Sequence, residues 1–337
     1  MTIEGPGDIV GLVNSTYAAD LFVAVVSEFD IFTRLAEREA TTARQLADLL
    51  EINERAADVT LTYLAALGLV ERTPDGAVRV AEPATRYLKA GAEVDLRHYA
   101  SMVGGRSGSR TAVQVLRTGQ PAAWEAGSDD WLSRMSEGDF ADMFTAAMNA
   151  RGTYLSPALA DAVRGSVEAN RILDIGGSSG IYACSLVDAL PGTTAAVLDL
   201  PSVVDSSRAS IAARGMSDRV DVIAGDMFAE LPHGFDVHLY SNVWHDWDAD
   251  GVRRLAAASF AALPPGGVLV DHDMHLDDTK SGPLRPAEFS VRMMLMTAGR
   301  CYSTPELAEI LIPVGFEDVH LRPTTAGYSV VVARKPA

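Results

Sequence analysis

From residue 166 onward, short apolar runs alternate with helical patterns at close intervals, which predicts a mostly parallel sheet layered with helices. Ile172, Leu173 and Ile175 suit a strand buried on both faces. Asp174 sits inside that run, where a carboxylate is costly unless something hydrogen-bonds it. Gly176, Gly177 and Gly180 follow, and Ile181–Val187 reads as a helix. Strand, glycine turn and helix, in that order, let a ligand approach backbone N–H groups at a helix N-terminus. A second strand, 195–200, ends in Asp199-Leu200, and a third, 220–227, ends in Asp226-Met227. An acid about 20 residues beyond a glycine turn suits ribose hydroxyls. The fourth strand starts at Phe235 and passes through Ser241 into the polar and aromatic turn Asn242–Trp247. Pro264–Gly267 closes the next helix, and Val268 opens a fifth strand. Thr304–Val314 is a helix, and His320–Leu321 with Ser329–Ala333 make a closing antiparallel pair.

The first half follows a different period. Val10, Val13, Tyr17, Leu21 and Val25 recur at helical spacing within 1–35. Thr42 caps a second helix, with Gln45 placed to close a capping box. Arg55–Leu67 is a third helix, and Leu69–Val80 folds as a hairpin around Thr73-Pro74-Asp75-Gly76. Two helices and a hairpin form a winged-helix pattern, read as a dimerisation module. The DNA-binding alternative, a metabolite-sensing regulator, lacks a basic recognition face, because Arg55 has Glu54 and Asp58 for company. Residues 96–165 read as helices broken at Gly104-Gly105 and near Gly127. Met102, Trp124, Trp131, Met135, Met143, Phe144 and Met148 give that stretch large adaptable side chains, suited to core packing and, taken together, to a substrate lid.

Composition narrows the class. With 337 residues, 48% hydrophobic and 22% charged, the chain predicts two globular domains. The apolar runs fall short of a membrane span and no basic leader opens the chain, so the cytoplasm is the expected compartment. The two cysteines, Cys184 and Cys301, lie in separate segments and argue against disulfide stapling and against a cysteine zinc site. A formal charge of −17 opposes nucleic acid and anionic membranes as partners.

The segments Leu173–Gly177, Leu198–Pro201, Gly225–Phe228 and Trp244–Trp247, in that order, resemble class I S-adenosylmethionine-dependent methyltransferases. More narrowly, they resemble the branch related to caffeate and acetylserotonin O-methyltransferases, over essentially the whole chain. This order of motifs outweighs a nicotinamide dehydrogenase, the main competitor for the glycine turn. The resemblance implies an α/β fold: a Rossmann-like catalytic domain at 166–337 with a mostly parallel sheet. A winged-helix-like dimerisation domain at 1–100 and a helical linker and lid at 101–165 precede it. It implies a homodimer acting on a small molecule of secondary metabolism. It assigns Asp174 to the methionyl ammonium of S-adenosylmethionine, and Gly176, Gly177 and Gly180 to close backbone approach. Asp199 takes the ribose hydroxyls, Leu200 and Met227 pack on the adenine, Asp226 takes its amino group, and Ser241 joins this cofactor set. His245 is the general base, with Asp246 beside it. Trp247, Phe289, Arg292, Met293 and Met296 are expected to contact substrate.

The chain departs from the O-methyltransferase pattern at two positions. Asp273 replaces a glutamate of the fifth strand, and Cys301 replaces a second glutamate in the later segment Gly299–Ser303. The fifth strand also reads Asp271-His272-Asp273-Met274-His275, where alternation puts Asp271, Asp273 and His275 on one face. With His245 nearby, these predict a divalent metal (Zn, Fe, Ni or Mn) on His245, Asp273 and either His272 or His275. The chain resembles, on fewer positions, bacterial members of this branch that C-methylate 2-oxo acids with a bound metal. The reading therefore leans to metal-assisted C-methylation at the β-carbon of a 2-oxo acid, with Arg292 or Arg300 adding positive charge. The alternative is O-methylation of a phenol or enol with His245 as base. His98, His233, His238 and His320 have no evident partners in the sequence.

Overall fold

The computed structural model describes residues 2–122, 138–164 and 169–337. Trp124, Gly127, Trp131 and Met135 lie outside these, as does the side chain of Phe144. The chain forms two compact units, Met1–Gly127 with Leu276–Ser303, and Ser128–His275 with Thr304–Ala337.

In the first unit, helices α1 (Pro6–Ser27) and α2 (Ile31–Ala36) divide the expected single helix, with Asp30 at φ 45° marking the break. Helix α3 (Ala43–Leu50) carries the predicted capping box: Gln45 N–H donates to Thr42 Oγ1, and Thr42 N–H donates to Gln45 Oε1. Helix α4 (Glu54–Ala66) leads into the hairpin β1 (Val70–Arg72) and β2 (Val78–Val80), paired antiparallel. Backbone bonds between Thr41 and Val78 tie the hairpin back to the start of α3, completing the winged-helix arrangement. Three further helices follow: α5 (Glu82–Tyr87), α6 (Arg97–Ser101) and α7 (Ser107–Thr118). A helix at Leu284–Met296, α12 in chain order, packs on α1 and α4. Segment 276–303 thus leaves the expected 166–337 block, because the apolar face of α12 finds its partners in this unit.

Two expectations change here. By length and composition α1 is apolar enough to cross a membrane, with a mean hydropathy of 1.7, so the count of no such segment is corrected. Part of its apolar surface has a packing reason: Leu21, Ala18 and Val25 are fully buried, and α1 packs on α7 and α12. Arg55, the one cation that spoke for DNA contact, donates instead to the carbonyls of Gly119, Thr297 and Gly299.

The second unit is built on a seven-stranded sheet, ordered β5-β4-β3-β6-β7-β9-β8. Its strands are β3 (Arg171–Ile175), β4 (Thr194–Asp199), β5 (Val220–Ala224), β6 (Val237–Ser241), β7 (Val268–Asp273), β8 (Glu317–Pro323) and β9 (Ser329–Arg334). The first five run parallel, and β9 is antiparallel to both β7 and β8. Its helices are α8 (Gly138–Arg164), α9 (Ile181–Ala189), α10 (Val204–Ala213), α11 (Ala249–Ala262) and α13 (Thr304–Val314). Strands β6 and β7 are buried along their whole length, His238 of β6 and the Asp271-His272-Asp273 end of β7 included. The chain runs outward from β3 to β4 and β5, then returns to the other side of β3 as β6. The C-terminal ends of β3 and β6 therefore flank a topological switch point, where open α/β sheets bind ligands.

Candidate active site

The glycine turn leaves β3 at this switch point. Gly176 and Gly180 both have φ near +70°, a region that favours glycine. Gly177 is constrained by space: a Cβ there would lie 2.5 Å from Asp174 Cγ. Asp174 is fully buried; one oxygen accepts the Ala183 N–H at 3.2 Å, and Oδ1 has no partner. Burial pushes its pKa up to about 7, against the Ala183 bond and with help from Asp199. An orphaned buried carboxylate oxygen beside a glycine turn fits a bound ammonium group, so these residues suit the methionyl end of S-adenosylmethionine.

Asp199 closes β4 and accepts the N–H groups of Ser178 and Leu200, each at 2.8 Å. Burial raises its pKa, and those two bonds oppose the rise. Asp226 is exposed and accepts the Phe228 N–H at 2.9 Å, while Leu200 and Met227 are half-buried. Trp247, expected against substrate, meets the Phe228 ring edge to face, with centroids 4.6 Å apart.

A single turn, Trp244–Asp246, carries His245 at the end of β6. Its Nδ1 lies 2.8 and 2.7 Å from the two oxygens of Asp273, and its Nε2 lies 3.6 Å from Asp246 Oδ1. Burial works to lower the His245 pKa, but Asp273 and then Asp246 outweigh it, and the net shift is upward. The Asp273 carboxyl moves the other way: burial raises its pKa, and His245, with His275 and the Met274 N–H, brings it below the usual carboxylate value. Asp273 Oδ1 also accepts the Met274 N–H at 2.7 Å. Asp273 thus holds Nδ1 of the base with both of its carboxylate oxygens. Cys301, at the place of the family's second glutamate, lies in the other unit, its N–H on Ser290 Oγ.

The metal expectation is corrected by these pairings. His275 Nε2 meets Asp271 Oδ2 at 2.9 Å, and its Nδ1 meets Ser329 Oγ at 2.8 Å. His272 Nδ1 meets Ser241 Oγ at 2.8 Å, and its ring lies between Tyr182 and Tyr328. His245 and Asp273 engage each other, while His272 and His275 bond to residues outside the expected ligand set. Among the described residues, no three His, Cys, Asp or Glu side chains converge as a metal site.

Sequence reasoning missed the polar frame around this centre. Asn242 sits at φ 60°, donates from Nδ2 to Tyr182 Oη and Ser241 Oγ, and accepts from Tyr328 Oη at 2.9 Å. It also missed the buried group His238, Ser259 and Tyr240, in which Ser259 Oγ meets His238 Nδ1 at 3.0 Å and Tyr240 Oη at 2.8 Å. Arg151, on α8, was missed as well; no spacing rule singles out an arginine of that kind. The remaining substrate candidates lie on α12: Phe289 and Met293 are buried and Met296 is half-buried. Arg292 donates to Asn14 Oδ1 and lies over Tyr17, while Arg300 faces Asp58 and stacks on Tyr302. Both cations have partners inside the first unit.

The family model for O-methyltransferase domains matches residues 114–317. The 3-hydroxy-5-methyl-1-naphthoate 3-O-methyltransferase of Streptomyces sahachiroi is 34% identical over 91% of this chain and 88% of its own length. The tetracenomycin 8-O-methyltransferase of Streptomyces glaucescens is 27% identical over 99% and 98%. An O-methyltransferase family 2 protein from Planctomyces limnophilus, solved with apigenin, is 26% identical; the match covers 99% of this chain and 97% of that one at a TM-score of 0.87. These relatives are named for transfer to oxygen, so the leaning toward 2-oxo acid C-methylation gives way to its O-methyl alternative. The chain belongs to this O-methyltransferase family and is an S-adenosylmethionine-dependent methyltransferase.

Proposed function

We propose that the chain methylates a phenol or enol hydroxyl of an aromatic secondary metabolite, with His245 as general base. The observation that carries this reading is the bond from His245 Nδ1 to both oxygens of Asp273. An ionised Asp273 fixes the proton on Nδ1 and leaves the Nε2 lone pair to take a hydroxyl proton. The same carboxylate stabilises the imidazolium that results. S-adenosylmethionine, when bound, supplies an electrophilic methyl group. Asp174 would accept from its ammonium, Asp199 from its ribose hydroxyls, and Asp226 with Leu200 and Met227 would line the adenine end. The names of the relatives, a naphthoate and a tetracenomycin enzyme among them, favour a fused aromatic acceptor.

A homodimer belongs to the same reading. Ile9, Leu12 and Val13 expose more than half of their surface along one stretch of α1, which favours a second copy as cover. Light scattering at micromolar concentration checks it, and a monomer would count against it. The chemical reading is tested with methyl-labelled cofactor and a panel of phenols, enols and 2-oxo acids. O-methyl product from a hydroxyl acceptor, lost in His245→Ala, is expected; a C-methyl product from a 2-oxo acid would overturn it.

A further inference from the structure

Helix α8 is fastened to the glycine turn at two points. Ser179 Oγ donates to Asn149 Oδ1 at 2.5 Å, and a Cβ on Gly152 would lie 2.5 Å from Ile181 Cγ2. Arg151 lies in the same turn of α8 as Asn149 and Gly152, near enough to Tyr182, Tyr328 and Asp273 for their charges to act on it. Its Nε is buried with no hydrogen-bond partner, and no ion pair to Arg151 occurs among the described residues. Three of the nearby groups bond elsewhere: the Tyr182 and Tyr328 hydroxyls to Asn242, and Asp273 to His245 and the Met274 N–H. Burial opposes the charge of Arg151, yet Tyr328, Tyr182, Asp273 and Tyr154 together hold it protonated. Its field reaches His245 as well. A buried guanidinium N–H without an acceptor is costly, and the planar fork it belongs to matches a carboxylate.

We propose that Arg151 binds a carboxylate at the methyl-transfer site, supplied either by the methionyl end of the cofactor or by the acceptor. The cofactor source rests on family membership alone; the acceptor source also rests on the O-methylation reading. Full-length Arg151→Met and Arg151→Lys are compared with the wild type by calorimetry. The first arm measures S-adenosylhomocysteine against methylthioadenosine, which lacks the carboxylate. The second measures a hydroxynaphthoate against its methyl ester, on protein saturated with S-adenosylhomocysteine.

If the cofactor supplies the group, Arg151→Met weakens S-adenosylhomocysteine about tenfold or more and leaves methylthioadenosine unchanged. If the acceptor supplies it, the acid loses about tenfold against its ester and S-adenosylhomocysteine is unaffected. In either case lysine restores part of the loss. A variant in which neither ratio moves, or in which each pair weakens by one common factor, overturns the proposal, since packing alone would act on both members. Both arms read binding, so a failure to find any O-methyl product would sink the O-methylation reading and leave this test intact.

Discussion

Asp273→Asn keeps the shape of the side chain and removes its charge. Oδ1 of Asp273 accepts the Met274 N–H at 2.7 Å, so the asparagine carbonyl stays on that side. Its amide nitrogen then takes the place of Oδ2, 2.7 Å from His245 Nδ1, where it can only donate. Nδ1 becomes the acceptor, the proton moves to Nε2, and the base loses its lone pair toward the substrate. A positioned general base contributes about 10²–10⁴-fold, or roughly 3–5 kcal/mol of barrier. The expected outcome is a fall in kcat of that order at neutral pH, with S-adenosylhomocysteine affinity unchanged. The pH profile carries a second signature. His245 must be unprotonated to act, and Asp273 raises its pKa, so the acid limb of wild-type kcat lies above the ordinary histidine value. Without that carboxylate, burial dominates and the limb moves to lower pH. Initial rates at saturating cofactor across pH measure both effects. A variant within about threefold of wild type, its acid limb unmoved, would refute the His245–Asp273 base.

Asp174→Asn should weaken S-adenosylhomocysteine about tenfold or more, because a charge-assisted bond to the ammonium is lost. The folded pKa of Asp174, about 7, stands above the unfolded 3.8, so its contribution to stability falls as pH rises between them. Thermal melts of the unliganded variant should lack that decline; a steeper one would contradict the assignment. Gly177→Ala forces a Cβ to within 2.5 Å of Asp174 Cγ and should cost about 1–3 kcal/mol. Denaturant titration reads the loss, and unchanged stability would show that the turn can yield. Exhaustive chelation should leave O-methylation intact; a loss reversed by zinc or manganese would undo the pairing of the fifth-strand residues with one another.

The legible part of the sequence was the part governed by local rules. Buried parallel strands read as continuous apolar runs, so β3, β4, β6 and β7 stood out, and the glycine turn followed from its position. Thr42 and Gln45 announced a helix start because a capping box is closed within four residues. The long N-terminal pattern misled at its end. Helical spacing continues through Phe29, but the chain turns at Asp30 in a left-handed conformation that periodicity does not record. Helix α12 was placed by sequence order in the catalytic block, and only its packing on α1 and α4 assigns it to the first unit.

The fifth strand shows why alternation located the site and misread its chemistry. Period two correctly set Asp271, Asp273 and His275 apart from His272, and the richness in metal-ligating side chains was real. What a ligand set also needs is donors left over after folding. Here β7 lies between β6 and β9, and each neighbour brings a partner: Ser241 to His272, Ser329 to His275, and the turn after β6 brings His245 to Asp273. Asp271 then closes on His275 across the end of the strand. Three of these four contacts join residues distant in the chain, so no local pattern encodes them. The fully buried position of the strand makes the pairings necessary, since an unpaired imidazole or carboxylate there would carry its whole desolvation cost. The same requirement is unmet at Asp174 Oδ1 and Arg151 Nε, and what marks these among the buried atoms without a partner is their place, one beneath the glycine turn and the other on the helix fastened to it.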